Sequence, residues 1–282
     1  MLKDKVNQLF KEQLSEWDLA KKNYHALEHV KTKSFILDNK EYKVQFNPAR
    51  IISSASKVDV QSIRERKCFL CSENLPAEQK VISFKDRYFI LVNPYPIFPR
   101  HLTIPLMEHT PQLIYPRFGD MLDIAQQLDD YVVFYNGPKC GASAPDHFHF
   151  QAGNKGFLPI ENDMNRRNAI SFESDNKEEL LESFQQIYDN LPLQPGDSEP
   201  MMNILTWYDT TKWGVCIFAR KKHRPSCYGV EDENSLLISP GAVDLGGMFI
   251  TPLEKDFEKI TVDNVIHILN EVVLHRELLE KM

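Results

Sequence analysis

The sequence predicts an α+β fold, an antiparallel sheet with crossing helices, arranged as two similar halves. Three observations carry this. Short apolar or alternating runs recur between turn signals. A helix-period stretch crosses between strand runs that read as an antiparallel sheet. Finally, two strands, a basic turn, further strands and a helix in the second half echo the first. The 282 residues leave room for one large domain or two modest ones.

Residues 1–30 form an N-terminal helical segment, with Leu2, Val6, Phe10, Leu14, Trp17 and Ala20 on one stripe. Residues 31–165 form the first half. It opens with strand-like Ser34–Leu37 and Tyr42–Phe46, closed by Asn47-Pro48. VISF, the turn Lys85-Asp86 and RYFILV read as strand, turn, strand, and His101–Leu106 as a further strand. Thr110-Pro111 is expected to start a helix, with Thr as cap and Pro at the first helical position. Leu122, Ile124, Ala125 and Leu128 supply that helix's apolar face, and YVVFYN follows as a buried strand. Residues 166–282 form the second half: Ala169–Phe172, a helix over Glu178–Asn190 and a linker over Leu191–Pro200. NILTWY, WGVCIFAR and GGMFITP then read as strands, and Val262–Leu274 as a helix. Trp207, Trp213 and Gly246-Gly247 suit packing and turns.

Lys and Arg number 33 against 40 Asp and Glu, so the net charge is −7, which argues against nucleic acid as partner. No apolar run approaches the ~20 residues of a bilayer span, so no membrane association is expected. The charged N-terminus lacks a signal-peptide core, which points to the cytoplasm. Five cysteines, with only Cys68 and Cys71 close together, do not make a disulfide scaffold. Cys68-Phe69-Leu70-Cys71 reads as a metal half-site or a redox pair.

The segment His147-Phe148-His149-Phe150-Gln151 is the most informative. As a strand it turns His147, His149 and Gln151 to one face and both Phe rings to the other. The loop before it, Asn136-Gly137-Pro138 and Cys140-Gly141-Ala142-Ser143, is small enough to bring backbone N–H groups to a phosphate.

The run NGPKCGASAPDHFHFQ resembles the active-site segment of the histidine-triad superfamily. It is most similar to the branch of galactose-1-phosphate uridylyltransferase and the nucleotide-sugar and dinucleoside-polyphosphate phosphorylases. Pro99-Arg100-His101-Leu102-Thr103-Ile104-Pro105, with His109 four residues on, resembles the strand and turn upstream of that segment. The Cys68/Cys71 pair resembles that of zinc-bearing members, so the resemblance spans roughly residues 46–151. Phe148 and Phe150 depart from the Pro and small residue of the uridylyltransferases.

The resemblance implies the following roles. His149 is the nucleophile at the α-phosphorus of a nucleotide, and Gln151 donates to a phosphoryl oxygen. Ser143 and the backbone around Gly141 hold phosphates, Asn136 supports that loop, and Asn93 lies near the ribose. Cys68, Cys71, His109 and His147 bind a structural Zn²⁺. His101 is a spare candidate ligand, and is otherwise structural or near the nucleotide. Arg50 and Lys57 contact a distal phosphate. The basic run Arg220-Lys221-Lys222-His223-Arg224 is either a solvated face or, as in the phosphorylases, a source of phosphate contacts through Arg220 and Lys222.

Since Gln151 has no proton to give a leaving group, it favours groups that depart as anions. The expected activity is ping-pong nucleotidyl transfer from a nucleoside-diphosphate sugar or dinucleoside polyphosphate to phosphate or a sugar phosphate. The alternatives are a histidine-triad hydrolase and a zinc-stabilised nucleotide-binding protein without turnover. A homodimer is compatible with the resemblance.

Overall fold

The computed structural model describes residues 1–55, 58–231 and 233–275. In chain order the strands are β1 (Lys31–Leu37), β2 (Lys40–Phe46), β3 (Ile82–Phe84), β4 (Tyr88–Val92), β5 (His101–Pro105), β6 (Tyr131–Asn136), β7 (His149–Asn154), β8 (Ile170–Ser174), β9 (Met202–Asp209), β10 (Lys212–Ala219) and β11 (Met248–Thr251). Eight of them form one antiparallel sheet in the order β3-β4-β5-β7-β6-β9-β10-β8. The β1-β2 hairpin and β11, which runs parallel to β2, make a second sheet.

Alternation along the central strands fills cores on both faces of the large sheet. On one face Tyr131, Val133, Tyr135, Phe148 and Phe150 pack with the helices Leu2–Glu16, Phe118–Gln127 and Lys177–Asn190. On the other, Val132, Phe134, Leu205 and Phe218 pack with the small sheet and the helix Val262–Val272. β6 and β9 join the strands of residues 82–154 to those of 170–219 in a single sheet, and β11 completes the sheet begun by β1 and β2.

Two boundaries differ from expectation. The N-terminal stripe is two helices, Leu2–Glu16 and Asp18–Leu27, parted by one extended residue, Trp17 (φ −113°, ψ 100°). Its indole is buried in the wall of the cavity described below. The helix expected at Thr110-Pro111 starts instead at Phe118. Residues 109–114 stay irregular because tertiary hydrogen bonds claim them: the Phe148 N–H donates to the Thr110 carbonyl at 2.7 Å, and the Gln112 N–H to that of Pro145 at 3.2 Å. No helix among the described residues is long and apolar enough to cross a membrane.

Candidate active site

A cavity of about 450 Å³ opens on the face of the sheet opposite Phe148 and Phe150. Arg50, Asn93, Asn136, Gly141, Ser143, His149 and Gln151 all line it. Regular strand structure in β7 begins only at His149, yet the alternation holds: the Phe148 and Phe150 rings lie in the core, and His149 and Gln151 face the cavity.

The tautomer of His149 follows from its partner. Nδ1 lies 2.9 Å from the His147 carbonyl oxygen, which can only accept, so Nδ1 carries the proton. Nε2 therefore keeps its lone pair. Burial lowers the imidazole pKa to about 4 against the pull of that carbonyl, so the ring is neutral near pH 7.

Gln151 is oriented in the same way. The Ile97 N–H donates to His101 Nδ1 at 3.1 Å, leaving the His101 proton on Nε2. Nε2–H donates in turn to Gln151 Oε1 at 3.0 Å, so the Gln151 NH₂ is left for the cavity. Burial, and secondarily Arg50, lower the His101 pKa to about 3, which keeps this relay neutral.

Asn136 Oδ1 accepts from Asn203 Nδ2 and from the Ala242 N–H, both at 2.7 Å. At Gly141 (φ +93°) the chain passes so close to Gly241 that a Cβ would lie 2.9 Å from its Cα. Asn93 donates to Thr103 Oγ1 at 2.9 Å and accepts from the Tyr95 N–H at 2.9 Å. Arg50 donates to the Tyr95 carbonyl at 2.8 Å; burial lowers its pKa to about 10, which leaves it charged.

Arg220 and Lys222, expected at substrate phosphates, are placed elsewhere. The Arg220 guanidinium is buried and donates to Asn203 Oδ1 and to the carbonyls of Val272, Pro240, Lys222 and His223. It reaches Asn136 only through Asn203. Lys222 pairs with Glu271 at 2.7 Å and does not line the cavity. Lys57 lies outside the described residues.

Several wall residues escaped the sequence reading. Trp17, Leu19, Phe69 and Leu70 form an apolar stretch, and Asp244 faces the cavity from a short helical turn. Only the cysteines flanking Phe69 and Leu70 signalled that segment, and nothing local signalled Asp244. Asp244 accepts from the Gly241 and Ile250 N–H groups at 2.9 and 3.0 Å.

Beside the cavity, the ligand atoms of Cys68, Cys71, His109 and His147 lie within 4.8 Å of one another. Cys68 Sγ is 3.3 Å from His147 Nδ1, and Cys71 Sγ is 3.1 Å from His109 Nδ1 and 3.6 Å from His147 Nδ1. Tetrahedral zinc with ordinary Zn–S and Zn–N bonds would set such S···N pairs at about 3.6 Å. His147 Nε2–H donates to the Leu106 carbonyl at 2.8 Å, so its Nδ1 lone pair faces the sulfurs. Burial and the adjacent Cys68 push the Cys71 thiol up. The donor set fits zinc.

Residues 9–154, just over half of the chain, match the family described as "Domain of unknown function (DUF4922)". The chain belongs to this family. This DUF4922 protein is also 29% identical over 121 residues to the galactose-1-phosphate uridylyltransferase of Halalkalibacterium halodurans. The match covers 37% of this chain and 24% of the relative, about a quarter of the relative's length. Among solved structures, yeast Ap4A phosphorylase Apa2 superposes with a TM-score of 0.63 at 18% identity, covering 95% of this chain and 97% of that one. Its complex with Ap4A gives 0.61 at 18% identity, over 95% and 98%. The DUF4922 chain thus has the histidine-triad-like α+β fold, and both likenesses fall in the branch that the segment from Asn136 to Gln151 resembles.

Proposed function

We propose that this protein is a nucleotidyltransferase or phosphorylase that works through a covalent nucleotidyl-histidine. The observation that carries the reading is the pair of fixed orientations in one cavity: a neutral His149 with its Nε2 lone pair free, and a Gln151 amide with its NH₂ free. The likeness in fold to an Ap4A phosphorylase and the partial sequence likeness to a uridylyltransferase support the reading.

In the proposed reaction His149 Nε2 attacks the α-phosphorus of a nucleoside-diphosphate sugar or a dinucleoside polyphosphate. A P–N bond forms as the P–O bond to the leaving group breaks, and that group departs as an anion, a sugar 1-phosphate from a nucleoside-diphosphate sugar or a nucleoside polyphosphate from a dinucleoside polyphosphate. Positive charge developing on the ring is met by Nδ1–H donation to the His147 carbonyl. The Gln151 NH₂ donates to a non-bridging oxygen, where negative charge grows. Phosphate or a sugar phosphate then attacks the same phosphorus and the P–N bond breaks. The acceptor is already an anion, so no general base is required.

Ser143 and the backbone at Gly141, assigned to the phosphates, Asn93, assigned to the ribose, and Arg50, assigned to a more distal phosphate, all line the cavity. The apolar wall suits a nucleobase. Cys68, Cys71, His109 and His147 would hold a structural Zn²⁺, which supplies a rigid anchor for the His147 carbonyl. The chemistry is assigned to the half spanning residues 31–165, with 166–282 as a diverged second half that contributes the wall around residues 239–250.

Steady-state turnover of UDP-, GDP- and ADP-sugars and dinucleoside polyphosphates, with phosphate or hexose 1-phosphate varied, tests this reading. Parallel double-reciprocal lines and dependence on the acceptor are expected. Equal turnover in water alone would make the protein a hydrolase. Tight nucleotide binding without turnover would make it a binding protein.

A further inference from the structure

We propose that Gln112 positions the nucleophile: its side-chain amide takes the place of a backbone partner where β6 and β7 part, and so sets the attack geometry of His149. This inference rests on the nucleotidyl-transfer reading above.

The β6–β7 ladder runs from Tyr131↔Asn154 to Phe134↔Gln151 and stops there. Beyond it β6 continues to Asn136, paired with Asn203 of β9, while β7 still has to deliver His149. The main chains of Asn136 and His149 would face each other across a gap with buried polar groups unpaired, which is costly. The Gln112 side chain, fully buried, fills that gap. Its Oε1 accepts the His149 N–H at 2.8 Å, and its Nε2 donates to the His149 carbonyl at 2.9 Å and to the Asn136 carbonyl at 3.0 Å. One amide orientation alone satisfies one N–H and two carbonyls.

These bonds fix both peptide planes flanking the His149 Cα, and thereby the direction in which the ring leaves the strand. Gln112 is itself held from both sides. The carbonyl of Thr110 takes the Phe148 N–H at 2.7 Å, and the Ile114 N–H donates to buried Glu199 at 2.8 Å. Three residues before Gln112 stands His109, one of the metal-ligand candidates. The metal cluster therefore reaches the nucleophile by two routes, through His147 and through the segment from His109 to Gln112. The same bonds explain why Thr110-Pro111 does not open a helix.

The test compares wild type with Gln112→Met, which removes the three bonds, and Gln112→Glu, which keeps the acceptor for the His149 N–H and loses the two donations. Single-turnover formation of the nucleotidyl adduct is expected to slow about a hundredfold in the Met variant, as for a small misplacement of reacting atoms. The Glu variant should fall in between. Nucleotide affinity, measured with His149→Ala in the background, should stay within about threefold, because a positioning residue changes kcat and not ground-state binding. Nitrogen NMR of His149 should show one tautomer, protonated at Nδ1, in wild type and a mixture in Gln112→Met. An adduct rate within about threefold of wild type in either folded variant, with the tautomer unchanged, overturns the proposal.

If neither variant folds, exchange of the His149 amide proton in the wild-type protein decides. Protection at the level of the sheet core supports the clamp, and rapid exchange overturns it. If wild type forms no adduct with any nucleotide, the transfer reading fails separately, and the tautomer and amide exchange still report on the clamp.

Discussion

His149 is kept neutral by burial, and this has a kinetic consequence. In the proposed reaction the nucleophile is the neutral ring, and a pKa lowered to about 4 means that protonation sets in only as the pH falls towards that value. The rate of adduct formation should therefore be flat from about pH 6 to 8 and decline below about pH 5, where an unperturbed imidazole would already have lost half its rate near about pH 6.5. A single-turnover pH series reads this out; a midpoint near the ordinary histidine value would refute the buried, neutral nucleophile. Gln151→Leu removes the side-chain amide donor assigned to the phosphoryl oxygen and should slow adduct formation by about 10²–10³-fold, as loss of an oxyanion donor does. The alternation of His147, His149 and Gln151 against Phe148 and Phe150 was legible in five consecutive letters. The proton positions were not, because they depend on the carbonyl of His147 and on the N–H of Ile97 acting through His101.

At the scale of elements, the Cys68–Cys71 loop, the irregular segment 106–112 and the start of β7 depend on one another. The cluster of buried residues around the cysteines consists only of Cys68, Leu70, Cys71 and Ala144, too little apolar surface to hold a loop by itself. Metal removal should therefore loosen this corner. Treatment with a strong chelator is expected to lower Tm by roughly 5 °C or more and to slow adduct formation, with zinc restoring both. A chelated protein with unchanged Tm and rate would show that the four side chains hold no metal that matters. The four side chains that meet here were named through the family resemblance, because two cysteines and two histidines scattered over eighty positions do not by themselves show that they come together. The helix start at Thr110-Pro111 misleads because local capping signals there are weaker than the hydrogen bonds that tie residues 110 and 112 to 145 and 148.

Across the whole molecule, the second half acts on the site from behind. The chain of contacts Arg220–Asn203–Asn136 carries a buried charge from β10's end to the cavity wall, and the Pro240 carbonyl is held by the same guanidinium. Arg220→Met strips five partners of a charged donor and should cost about 3 kcal/mol of stability, measured by chemical denaturation. Unchanged stability with a raised KM for the substrate would return Arg220 to the role its place in a basic run suggested. Composition and periodicity made the α+β class and most of the strands legible. They could not show that β6 pairs with β9, or that β11 joins β2, because such register is set by packing between segments far apart in sequence.

The central claim is that His149 forms a covalent bond to the nucleotide. Intact-protein mass after incubation with a panel of nucleotide sugars and dinucleoside polyphosphates, quenched in alkali because a histidine phosphoramidate is labile in acid, tests it directly. A gain of one nucleoside monophosphate is expected on wild type, none on His149→Ala, and discharge of the adduct by phosphate or a sugar phosphate. Bound nucleotide with no mass gain, or an adduct that persists in His149→Ala, would contradict it.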